Sequence, residues 1–89
     1  MPTVRFTSQL ERFISAPPAE AAGDTLGDVL GAIFADNPVL RGYILDDQGA
    51  VRPHVQIFVA GAPASDRRTL SDPVNPDDEI YVFQALSGG

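Results

Sequence analysis

Apolar and polar residues alternate over Thr3-Val4-Arg5-Phe6-Thr7-Ser8, a period of two that puts Val4 and Phe6 on one face of a half-buried strand. Arg12-Phe13-Ile14-Ser15 reads as the returning strand of a hairpin, cut short by Pro17-Pro18, and residues 17–23 read as a connecting loop. The period then changes. Leu26, Val29, Leu30 and Ile33 recur at i, i+3, i+4 and i+7, the buried stripe of a helix. Thr25 and Asp28 have capping-box spacing, and Asp24 stands just ahead of them. Gly27 and Gly31 each cost this helix about 1 kcal/mol relative to Ala, so packing has to hold it. Pro38, after Asp36-Asn37, stops it.

Gly42-Tyr43-Ile44-Leu45 and Val51-Arg52-Pro53 flank Asp46-Asp47-Gln48-Gly49, a good turn sequence. The strongest strand signal follows over His54–Ala60, with Val55, Ile57 and Val59 on one face and His54, Gln56 and Phe58 on the other. Gly61-Ala62-Pro63 is expected to turn the chain, Thr69–Pro73 to form a short helical turn with Leu70 inward, and Asn75-Pro76-Asp77-Asp78 to turn again. The last strand runs Glu79–Leu86 and puts Ile80 and Val82 on one face, Tyr81 and Phe83 on the other. A lone helix covers only one face of a sheet. Tyr81, Phe83 and Phe58 on the uncovered face then form either a partner surface or cross-strand pairs that stiffen the sheet, unless loops or a dimer cover them.

Eighty-nine residues with 44% hydrophobic and 20% charged side chains make one globular domain. The absence of cysteine excludes a disulfide framework, a thiolate metal site and a catalytic thiol on this chain. No apolar run approaches the roughly 20 residues that cross a bilayer, and no secretory signal pattern opens the chain, so a cytoplasmic protein is expected. A net charge of −6 disfavours nucleic acid and anionic membranes and suits a partner with a basic surface, or simply keeps a small domain soluble. All six basic residues are Arg; without Lys, the chain cannot be extended through its own lysines. His54 is the only histidine, which leaves a metal site or a Ser-His-Asp triad without support. Asp46-Asp47 and Asp77-Asp78-Glu79 read as turns, no phosphate-binding glycine loop is present, and Arg67-Arg68 is too small a patch for nucleic acid.

The sequence closes on Ser87-Gly88-Gly89. Such a tail is slim enough to enter a narrow channel, because glycine has no Cβ. On the dipeptide alone, a frayed terminus or an expression scar is the commoner reading. The segments Asp24–Leu30, Val55–Gly61 and Asp77–Gly89, taken in order, change that. Together they make the chain resemble the ubiquitin-like β-grasp sulfur carriers, such as the small subunit of molybdopterin synthase and the thiamine-pathway carrier. The resemblance implies an α+β fold: a mixed four- to five-stranded sheet with one main helix packed on one face. Residues 1–86 would be a single β-grasp domain and 87–89 a flexible diglycine tail. The chain departs from the family in its proline- and alanine-rich loop at 17–23, in Ala60-Gly61 where many relatives have Asn-Gly, and in Phe83-Gln84-Ala85 before the tail.

The resemblance also implies a chemistry. An ATP- and magnesium-dependent activating enzyme of the ubiquitin-activating type adenylates the Gly89 carboxylate, and a persulfide on a sulfur-donor protein displaces AMP. The resulting thiocarboxylate passes sulfur to a synthase in cofactor (molybdopterin or thiamine) or amino-acid biosynthesis. Gly89 would be the reacting residue and Gly88 its slim neighbour. Ser87 and Leu86 would belong to the inserted tail, while Phe58, Tyr81 and Phe83 would be docking candidates. The chain itself would supply no catalytic group or metal ligand and bind no cofactor, a carrier and not an enzyme. Two rivals stand beside it: a protein modifier conjugated through Gly89, and a β-grasp interaction module with no tail chemistry.

Overall fold

In the computed structural model, which describes residues 1–7 and 17–84, the first strand, β1, runs Thr3–Phe6 with Val4 fully buried and Arg5 exposed. On one side it pairs antiparallel with β2, Ala19–Glu20. On the other it pairs in parallel with β5, Glu79–Gln84, in register from Thr3 opposite Glu79 to Phe6 opposite Val82. A parallel pair of first and last strands requires a long crossover, and the helical middle of the chain provides it. The returning strand expected at Arg12–Ser15 lies outside the described residues, as do Leu86, Ser87, Gly88 and Gly89.

The segment 17–23, expected to be only a loop, contains β2. Pro17 and Pro18 precede the paired residues, so the N–H groups they lack are not needed in the ladder. The Ala21 N–H then donates to the Pro2 carbonyl at 3.2 Å. Ala and Glu have weak strand propensity, so this pairing leaves no periodic signal.

Helix α1 spans Leu26–Asp36 and begins as expected: Thr25 Oγ1 accepts from the Asp28 N–H at 3.2 Å. Leu26, Val29, Leu30 and Ile33 are buried, and Phe34 widens the stripe. Pro38 ends α1 but does not end helical structure. A second helix, α2, runs Pro38–Ile44, which the sequence reading did not expect. Proline suits a first helical turn, whose N–H groups have no partner within the helix anyway. Asn37 Oδ1 accepts from the Leu40 N–H at 3.2 Å, and Leu40 and Ile44 bury the inner face. The expected turn at 46–49 is present, closed by an isolated Leu45–Val51 bridge, and in it Asp46 Oδ1 accepts from the Gln48 and Ala50 N–H groups.

Strand β3, Val55–Val59, pairs antiparallel with β5 and, through a hairpin, with β4, Ala62–Pro63. The turn therefore sits one residue earlier than the sequence suggested, at Ala60 and Gly61, with φ of 50° and 86°. Two consecutive left-handed residues match the right-handed twist of the flanking strands. The sheet order is β2-β1-β5-β3-β4. Val4, Ile57, Ile80 and Val82 from the sheet join Leu26, Leu30, Leu40 and Ile44 from the helices in one core. Leu70 points inward as expected, at φ 58°, and its carbonyl accepts from the Gly27 N–H at 2.8 Å. Among the described residues, no helix is long and apolar enough to cross a membrane.

Candidate functional site

The face of β3 and β5 turned away from the helices carries the three aromatics singled out in the sequence. Alternation along β5 buries Ile80 and Val82 and leaves Tyr81 and Phe83 outward, 40% and 38% exposed, although both lie in a central strand. The antiparallel register sets Phe58 opposite Tyr81 and Gln56 opposite Phe83, which makes Phe58 and Phe83 diagonal neighbours. Their ring centroids are 5.5 Å apart at 87°, an edge-to-face pair, while Tyr81 stacks on Phe83 at 6.1 Å and 19°. Contacts of this kind add about 0.5–1.5 kcal/mol each. The rings therefore stiffen the sheet as cross-strand neighbours, and Tyr81 and Phe83 remain partly exposed on its open face.

An ion pair that the sequence reading missed borders this surface. Arg5 Nε donates to Glu79 Oε1 at 2.9 Å, and Arg5 lies opposite Tyr81 across the β1–β5 ladder. The hydrogen bond and charge of Glu79 raise the guanidinium pKa above its ordinary value. Both side chains are about half exposed, where such pairs contribute little stability. Its effect is to neutralise the rim of the aromatic surface. Arg5 and Glu79 were both legible as outward positions, but no period in the sequence pairs the first strand with the last.

Strand β5 is held on both sides, and its last described residue, Gln84, lies opposite Val55. Phe83 is thus the last outward aromatic before residues 85–89, to which the reactive-tail expectations for Leu86, Ser87, Gly88 and Gly89 attach. The structure describes none of those four.

Arg67 and Asp78, drawn from the other sequence candidates, have structural partners. Arg67 Nη2 donates to the carbonyls of Arg52 and Val55 at 2.7 and 2.6 Å, tying its loop to the start of β3. Asp78 accepts from the Asn75 N–H and donates its own N–H to the Asn75 carbonyl, closing the turn ahead of β5. His54 is half-buried just before β3. Among the described residues, no group of three His, Cys, Asp or Glu is placed to hold a metal ion. Asp66, unremarked in the sequence, gathers the hydroxyls of Ser71 and Thr69 and the N–H groups of Arg68 and Thr69. Those donors, with Ser71 foremost, hold its carboxyl well below the usual range.

No family model matches the chain. Small archaeal modifier protein 3 of Haloferax volcanii is 31% identical over 65 residues, 73% of this chain and 70% of that protein. Among solved structures, the Amycolatopsis orientalis BexX/CysO complex aligns over all of both chains with a TM-score of 0.82 at 15% identity. SAMP1 from Haloferax volcanii aligns over 99% of this chain and 98% of its own, with a TM-score of 0.78 at 24% identity. At these identities the structural likenesses speak to architecture, and they establish the ubiquitin-like β-grasp fold that the sequence led us to expect.

Proposed function

The chain belongs to the small archaeal modifier protein family, one of the ubiquitin-like β-grasp groups, and from that premise we propose that it is a sulfur carrier whose reacting atom is the carboxyl carbon of Gly89. A partner of the ubiquitin-activating type joins the carboxylate to AMP, using ATP and magnesium that belong to the partner and releasing pyrophosphate. A persulfide on a donor protein then attacks the acyl carbon and AMP departs. A second thiol cuts the S–S bond, and the chain is left with a thiocarboxylate for a sulfur-accepting synthase. The chain has no cysteine, so both thiols come from other proteins. In this reading it is a cytoplasmic carrier, acted upon and not itself an enzyme.

The observation that carries the proposal is the placement of Tyr81 and Phe83 on the open face of the strand that leads into Leu86-Ser87-Gly88-Gly89. An apolar surface beside the root of a slim tail lets a partner grip the domain while the tail alone enters its catalytic channel. Leu86 anchors the inserted tail against an apolar wall.

A second reading is favoured by the name of the curated relative, a modifier: Gly89 is transferred to lysines of other proteins. Denaturing electrophoresis of extracts that contain the tagged chain and its activating enzyme separates the two. High-mass species that vanish when Gly88 and Gly89 are deleted support transfer to proteins. A free chain with no such species supports the carrier. Biological activity that survives the deletion contradicts both.

A further inference from the structure

On the opposite side of the sheet from the aromatics, a groove of about 530 Å³ lies between the β2 segment and the C-terminal half of α1. Ala21, Ala32, Ile33 and Leu40 are among its apolar lining, and among the described residues Glu20 and Asp36 are its charged lining. Its size falls in the range of built binding clefts. The charges that the described residues place on it are of one sign. Asp36 is the last residue of α1, whose final turn holds no basic residue, so a carboxylate sits at the negative pole of the helix. The short helix α2 begins beside it, but the Leu40 N–H at its start is already taken by Asn37 Oδ1. Glu20 adds a second carboxylate, which among the described residues accepts a long 3.4 Å bond from the Thr3 hydroxyl.

We propose that this groove is a docking site for an extended segment of a partner protein that presents an aliphatic side chain flanked by Lys or Arg. The aliphatic group fills the alanine-walled cleft, and the cation sits between Glu20 and Asp36, where the helix pole and both carboxylates favour positive charge. Pro17 and Pro18, just before β2, remove two backbone donors from this edge, so side-chain packing and charge dominate recognition over strand pairing. Because the groove and the aromatic face lie on opposite sides of the sheet, a partner in the groove leaves Tyr81 and Phe83 open. The site is independent of the tail chemistry, and its test needs no activating enzyme.

The test is a titration of the isotope-labelled full chain, followed by NMR, with the acetylated hexapeptide Lys-Ile-Leu-Val-Ile-Arg and its charge-reversed counterpart Glu-Ile-Leu-Val-Ile-Asp. The basic peptide is expected to shift the amides of Glu20, Ala21, Ala32 and Ile33 while those of Tyr81 and Phe83 stay in place. The double substitution Glu20→Gln, Asp36→Asn should weaken its binding about fivefold, the scale of two exposed ion pairs. Ala32→Phe, at an exposed helical position, should abolish it by filling the cleft. The proposal is overturned by the absence of groove shifts at millimolar peptide, by shifts confined to the aromatic face, by equal binding of the acidic peptide, or by undiminished binding to a folded Ala32→Phe chain.

Discussion

At the scale of single residues, two positions carry conformational or electrostatic tension that the sequence hides. Ala60 occupies the left-handed region at φ 50° in a turn whose other member, Gly61, accepts that geometry freely. Asn tolerates this conformation better than Ala. Ala60→Asn is therefore expected to raise stability by about 0.5–1 kcal/mol, seen as a Tm increase of a few degrees. Asp66 is a different case. Its folded-state pKa is depressed, so the stability it contributes is present above the ordinary carboxylate range and is lost as pH falls through its folded value. The Tm difference between wild type and Asp66→Asn should be widest near neutrality and narrow below about pH 4. A gap that stays constant down the acid limb would refute that role. The outward aromatics Phe58, Tyr81 and Phe83 were legible because strand alternation fixes a face. The Asp66 web was not, since it depends on how a loop folds back across Ser71 and Thr69.

Among the elements, α1, β3 and β5 were legible because each has a clean period and a capping or turn signal at its ends. Helix α2 was not. Its seven residues include Pro38, the β-branched Val39 and Gly42, a composition that reads as non-helical until Asn37 caps it and Leu40 and Ile44 find the core. Strand β2 was hidden for the converse reason, because two residues are too few to show alternation. The glycines of α1 give a test of how the elements pack. A Cβ on Gly31 would meet nothing within 4 Å, whereas one on Gly27 would lie 3.2 Å from the Leu70 carbonyl oxygen. That oxygen already accepts from the Gly27 N–H, so it has little freedom to retreat. Gly31→Ala should stabilise the chain by about 1 kcal/mol, the propensity difference alone. Gly27→Ala should lower stability despite the same propensity gain. Equal gains in a denaturant series would mean that the loop does not press on the helix.

For the molecule as a whole, the family resemblance implied a mixed sheet of four to five strands, but the pairing of first and last strands and the sheet order were not legible, since hydrophobic periods predict faces and not neighbours. That arrangement puts β5 at the centre of the sheet, with Tyr81 and Phe83 on its open face. If a partner grips this face, Tyr81→Ala and Phe83→Ala should each raise the KM for adenylation about tenfold with kcat nearly unchanged, as expected for removal of a buried interface anchor. Loss of kcat alone would place the grip elsewhere. The central claim concerns Gly89 itself, and intact-mass spectrometry of the chain after incubation with its activating enzyme, ATP, magnesium and a persulfide donor tests it most directly. The account predicts a mass gain equal to the exchange of one oxygen for one sulfur, localised to the peptide that ends in Gly89 and absent when Gly89 is deleted. An unchanged mass under conditions where the activating enzyme releases pyrophosphate, or sulfur found on any other residue, would contradict it.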